Sequence, residues 1–111
     1  MLNETGEYII AVTTCDNRDK AMEIAAMLVQ EHLAACVQMF AAQSVYDWQG
    51  EVRSADEYVL FAKTRLELFE RLTDAVRKNH DYEVPEIIHI PIGGGLPEYL
   101  AWVSASTFRR T

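Results

Sequence analysis

An α+β domain of the ferredoxin-like kind, β-α-β-β-α-β in an antiparallel sheet with one more helix at the C-terminal end, is the fold class this sequence predicts. Three observations carry that expectation. Four stretches rich in β-branched and aromatic residues alternate with two stretches of helical apolar spacing, in the order strand, helix, strand, strand, helix, strand. The two central strand stretches meet at Gln49-Gly50, which suits a hairpin. The last stretch contains Pro91, which cannot donate a ladder hydrogen bond and so belongs on an edge strand, where this topology puts its fourth strand.

Each element has its own warrant. Tyr8 to Thr14 is a nearly continuous apolar, β-branched run and predicts a strand buried on both faces. Asp16 and Asn17 are caps for a helix whose Ala21, Ile24, Ala25 and Leu28 share one face, ending near His32. Ala34 to Trp48 and Val52 to Lys63 form the hairpin, with Tyr58, Leu60 and Ala62 alternating against Val59 and Phe61. Thr64-Arg65-Leu66-Glu67 has the spacing of a capping box and opens a second helix carrying Leu68, Phe69, Leu72, Ala75 and Val76 on one face. Pro85 holds Val84 extended, Glu86 to Ile92 is the fourth strand, Gly93-Gly94-Gly95 is a tight turn, and Pro97 to Ser104 is the last helix.

Composition narrows the function classes. With 111 residues the chain fits one domain with one core, its body at about residues 8–106. Seventeen acidic against ten basic side chains give a net charge of −7, which argues against a nucleic-acid partner. No apolar run is long enough to span a membrane, and Met1 to Glu7 has no apolar signal region, so a cytoplasmic protein without membrane insertion is expected. The two cysteines, Cys15 and Cys36, form no CxxC pair or zinc spacing. No serine or cysteine has an evident base partner, so no enzyme and no organic cofactor are expected.

The hairpin points to self-association. Strands of about 14 residues run roughly 45 Å, whereas a helix of about 16 residues covers some 24 Å. The surplus carries Val45, Tyr46, Trp48 and Val52, too apolar for a ribbon alone in water, and further copies of the chain are its natural cover.

The same topology gathers candidate functional residues at one end of the domain: Cys15 and Asp16 after the first strand, His80, Asp81 and Tyr82 after the second helix, and Glu86 before the fourth strand. A thiol, an imidazole and carboxylates are ligands for copper or zinc more than for magnesium or calcium. The alternative roles are ordinary ones: His80 and His32 at helix C-termini, Asp16 as a cap, Cys15 and Cys36 packed inward, His89 a half-buried, hydrogen-bonded strand residue. Lys63, where the strand pattern wants a neutral residue, is a partner for a carboxylate, with Glu86 of a neighbouring copy a candidate. Trp48, Tyr82 and Trp102 are candidates to line a cleft.

Glu31-His32-Leu33-Ala34-Ala35-Cys36, Tyr46-Asp47-Trp48-Gln49-Gly50, Glu57, Lys63-Thr64, His80-Asp81-Tyr82-Glu83-Val84-Pro85-Glu86-Ile87, Pro91-Ile92 and Tyr99-Leu100-Ala101-Trp102 together resemble the CutA divalent-cation-tolerance family, from about Tyr8 to Ser106. The resemblance implies a cytoplasmic homotrimer with joined strands, tolerance of copper and other divalent cations, and a likeness to trimeric PII signalling proteins. Some members bind copper through a cysteine at the end of the first strand and two adjacent histidines. Here Thr13 takes that cysteine's place and Asp81 that of the second histidine, with His80 retained and Cys15 two residues on, facing the same side as Thr13. The expected metal set is therefore His80, Asp81 and Cys15, holding Cu(II) or another divalent cation weakly. The alternative is a PII-like signalling or scaffold trimer whose inter-subunit cleft, lined by Lys63, Glu86, Tyr82, Trp48 and Trp102, takes a small ligand or partner protein.

Overall fold

The computed structural model describes residues 7–108. The polar segment before Glu7 lies outside the described residues. The element order is β1 (Tyr8–Cys15), α1 (Arg18–Gln30), β2 (Cys36–Trp48), β3 (Glu51–Arg65), α2 (Phe69–Asn79), β4 (Ile87–Pro91) and α3 (Pro97–Ser106), with a 3₁₀ turn at Leu66–Leu68 leading into α2. The strands form one antiparallel sheet in the order β2-β3-β1-β4. Pro91 is on the edge strand, as its missing N–H demands.

Period-two alternation separates two faces with different fates. One face, with Ala11, Cys15, Leu60 and Ala62, packs under α1 and α2, whose Ala21, Ile24, Leu28, Leu72 and Val76 complete the main core. Asn17 caps α1 by accepting the Lys20 N–H at 2.8 Å. Among the described residues the opposite face is covered only at one end, where α3 sets Val103 against Tyr8 and Ala35. Tyr8 ties to Ser104 through their hydroxyls at 2.6 Å, and Arg65 holds Thr107 through Nε at 2.9 Å and Nη2 at 3.0 Å. Phe40, Ile88 and Ile90 on this face remain 44–50% exposed.

β2 and β3 pair along their whole length, from Cys36↔Lys63 to Trp48↔Glu51. Beyond Tyr58, the last β3 residue opposite β1, the ribbon continues as a free arm. The domain is accordingly 48 Å long against 28 and 21 Å in its other axes. Gln49 (φ 51°) and Gly50 (φ 83°) turn the arm with two left-handed residues, the geometry that matches the twist of a two-residue hairpin. At its end Val45, Trp48 and Val52 are 52–84% exposed.

Several local expectations need correction. The capping box does not form: Thr64 stays in β3 with its hydroxyl buried and unpartnered, and Glu67 pairs with Arg65 at 2.6 Å. Strand pairing to Ile9 holds Thr64 extended and inward, and that outweighs the local helix signal. His32 lies past the end of α1 in a left-handed conformation (φ 61°), where Nδ1 contacts the Ser106 carbonyl oxygen at 3.3 Å, so it closes the helix geometrically and not as a last-turn cation. Cys36 is half-buried, because its strand position turns it away from α1 and α2 to the face that α3 covers in part. His89 is exposed and meets the Phe69 ring edge-on at 4.7 Å. Gly93–Gly95 use no left-handed backbone and connect β4 to α3 without a tight turn.

Candidate functional site

The end of β1 nearest the arm is where the topology brings distant residues together. β1 delivers Cys15 on the helix-covered face and Thr14 on the other. α2 stops at Asn79, and His80 leaves it with extended backbone (φ −93°, ψ 147°), so its ring swings across the end of β1. His80 Nε2 lies 2.6 Å from the Thr14 carbonyl oxygen and 3.8 Å from Cys15 Sγ. The Tyr82 backbone N–H donates to His80 Nδ1 at 3.0 Å. A carbonyl only accepts and an amide N–H only donates, which fixes the neutral ring with its proton on Nε2. His80 therefore does not serve the dipole of α2. It joins β1 to the segment that follows the helix.

Tyr82 carries the connection onward. Its ring stands 4.7 Å from that of His80, and its hydroxyl donates to Glu57 Oε2 at 3.0 Å. Ser44, on the other strand of the arm, donates to Glu57 Oε1 at 2.6 Å. Glu57 thus sits at the root of the arm as the acceptor for both strands' neighbours. Burial, the hydrogen bond to Glu57 and its charge all push the Tyr82 hydroxyl's pKa upward.

Cys15 is fully buried, and its pKa rises from 9.0 to about 11, first through burial and then through the negative charges of Asp16 and Asp81. It is a neutral thiol near pH 7, which rules it out as a ready nucleophile. Asp81 is exposed and pairs with Lys20 at 3.8 Å, while Lys20 also reaches Glu23 at 3.3 Å. Thr13 faces the same side as Cys15, and its hydroxyl is buried without a hydrogen-bond partner.

The structure brings Cys15, His80 and Tyr82 together, with Asp81 turned toward Lys20. Among the described residues no three of His, Cys, Asp and Glu are grouped so as to hold an ion. The cleft candidates stand apart within one chain. Lys63 lies opposite Ile10, five residues along β1 from Cys15, or roughly 17 Å, and its ammonium meets the Gln38 side-chain oxygen. Trp48 is at the arm's end, nine residues beyond Glu57 across the turn, Trp102 sits on α3 against Tyr99, and Glu86 is exposed before β4. Glu57 and Lys20 were not among the sequence's candidate site residues. Glu57 had a signal, as one of the residues that carry the family resemblance, directly before the alternation of Tyr58, Val59, Leu60 and Phe61; Lys20 had none.

Comparison with known proteins identifies related chains. The family model for the CutA1 divalent ion tolerance protein matches residues 9–106. The chain is 44% identical over 106 residues to the chloroplastic Protein CutA of Arabidopsis thaliana, covering 95% of this chain and 58% of that protein. It is 40% identical over 99 residues to the divalent-cation tolerance protein CutA of Thermus thermophilus, covering 88% of this chain and 96% of that protein. The chain therefore spans little more than half of the plant relative. Among solved structures it resembles CutA1 from Oryza sativa with a TM-score of 0.91 at 38% identity, covering 97% of this chain and all of that one. The periplasmic divalent cation tolerance protein CutA from Archaeoglobus fulgidus aligns with a TM-score of 0.89 at 35% identity, covering 91% and 99%.

Proposed function

Because this chain belongs to the CutA1 divalent ion tolerance family, we propose that it acts in the cytoplasm as a homotrimer that engages a divalent transition-metal cation, Cu(II) foremost, weakly at His80. The observation that carries this reading is the meeting of the Cys15 thiol and the His80 imidazole, 3.8 Å apart, with Asp81 and Asp16 beside them in sequence. Sulfur and nitrogen donors favour copper over hard cations, and the nearby carboxylates raise the local cation concentration.

Weak binding follows from what His80 already does. Both ring nitrogens have protein partners, so an ion has to displace at least one hydrogen bond. Such bonds contribute about 0.5–1.5 kcal/mol each. The ion also meets a protonated thiol, not a thiolate. A tight resident cofactor would have its donors free and oriented, whereas an ion handled as cargo needs only a reachable ligand.

Assembly is the second half of the proposal. The uncovered sheet face with Phe40, Ile88 and Ile90, and the arm with Val45, Trp48 and Val52, give an apolar surface too extended for a lone chain. A closed ring of three copies covers it and draws Lys63, Glu86, Tyr82, Trp48 and Trp102 of different copies toward common clefts. No helix among the described residues is long and apolar enough to cross a membrane.

The test is a copper(II) titration of wild type and His80→Ala by calorimetry. A saturable wild-type isotherm that His80→Ala loses supports the reading; superimposable isotherms end it.

A further inference from the structure

Building on the metal reading above, we infer that His80 is a latch whose bound and latched states exclude each other: cation binding at its imidazole releases Tyr82 and, through Glu57, loosens the root of the β2–β3 arm. Four hydrogen bonds make the connection continuous. His80 Nε2 donates to the Thr14 carbonyl oxygen, the Tyr82 N–H donates to His80 Nδ1, and the Tyr82 hydroxyl donates to Glu57, which also accepts from Ser44.

The exclusion is a matter of lone pairs. A neutral imidazole has one ring nitrogen lone pair in its plane, and here that pair, on Nδ1, receives the Tyr82 N–H. An ion at Nδ1 displaces the N–H directly. An ion at Nε2, the nitrogen beside Cys15, requires the ring proton to move to Nδ1, where it faces the Tyr82 N–H as donor against donor. Both routes cut His80 from Tyr82. Turning the ring aside does not avoid this, because the Tyr82 ring stands 4.7 Å away and has to shift with it.

Tyr82 cannot move alone, since its hydroxyl is fastened to the arm. The Tyr82–Glu57 bond therefore resists ion binding, and by linkage the ion weakens that bond by the same factor. The arm also carries the exposed Val45, Trp48 and Val52 that the proposed assembly covers. A cation signal at the end of β1 thus reaches a surface about 20 Å away along a strand whose two edges share one acceptor. Glu57 is a positioning residue in this scheme, not a ligand.

The experiment uses the full chain with copper(II) alone as probe, and reads both the binding isotherm and amide hydrogen exchange by mass spectrometry. Tyr82→Phe keeps the ring and removes the hydroxyl; Glu57→Gln keeps the acceptor shape and removes the charge. The expected result is copper binding on the order of tenfold tighter in Tyr82→Phe, with a smaller gain in Glu57→Gln. Copper should also speed exchange in the wild-type peptide containing Tyr82 and in the peptide containing Glu57. Without metal, Tyr82→Phe should already show faster exchange around Glu57. His80-dependent copper binding with unchanged exchange, and equal affinity in Tyr82→Phe, overturns the latch and leaves the metal reading standing. Loss of His80-dependent binding in wild type removes the metal reading itself and the coupling with it.

Discussion

Ile88 offers a direct test of what the uncovered sheet face does. It lies on β4 opposite Val12, on the face away from α1 and α2, because its neighbour Ile87 packs against the core. Half of Ile88 is exposed in the single chain. Fully burying such a side chain contributes about 1.5–3 kcal/mol, so covering the exposed half contributes roughly 1 kcal/mol per copy. Three copies in a ring multiply that to about 3 kcal/mol, or roughly a hundredfold in the dissociation constant, which is the expected effect of Ile88→Ala. Ile88→Asp adds an unpaired carboxylate to each covered site, which costs several kcal/mol apiece. Sedimentation at low micromolar concentration should show wild type as a trimer and Ile88→Asp as a single chain, with far-UV circular dichroism unchanged because Ile88 is half exposed and belongs to neither buried cluster. An Ile88→Asp protein that sediments as a trimer, or a wild type that sediments as a folded single chain, refutes the argument that this face is an interface.

Three further outcomes follow from the packing. Thr64→Val removes a buried hydroxyl that has no partner and should raise stability by about 1 kcal/mol in urea unfolding. Gly50→Ala meets nothing within 4 Å of the new Cβ, so its cost is purely the left-handed backbone at φ +83°, about 1–2 kcal/mol in the same assay. The Cys15 thiol is kept neutral by the fold, so its contribution to stability is complete below its ordinary value of 9.0 and is lost as pH rises through about 11; unfolding free energy should fall across that window in wild type and stay flatter in Cys15→Ala.

The sheet was legible because its strands carried signals that do not depend on distant partners. β1 showed an apolar run between polar flanks, β3 showed alternation, and β4 showed Pro91, which alone placed it at an edge. The Thr64 to Glu67 segment misleads for the opposite reason: its four-residue pattern is local, whereas the strand pairing that claims Thr64 is not. At the candidate site, antiparallel topology was enough to place Cys15 near His80, since both sit at chain reversals on one end. What the sequence could not show is where a ring nitrogen points. The dihedral change at His80 turns its imidazole to a backbone carbonyl, and that orientation depends on the exit of α2, not on residue type. Asp81 was drawn away by Lys20, a partner from α1 that no short motif connects to it.

The central position of β1 also shapes how the chain reaches its fold. This strand precedes the other three in the chain, yet hydrogen-bonds to β3 on one side and to β4, the last of the four, on the other. At about 5–20 residues per second, Ile9 to Val12 wait several seconds for their second neighbour. During that interval an apolar central strand has one open flank, and the sheet is complete only once β4 has emerged. Refolding in vitro should accordingly be slow for so small a domain, as distant pairings generally make it.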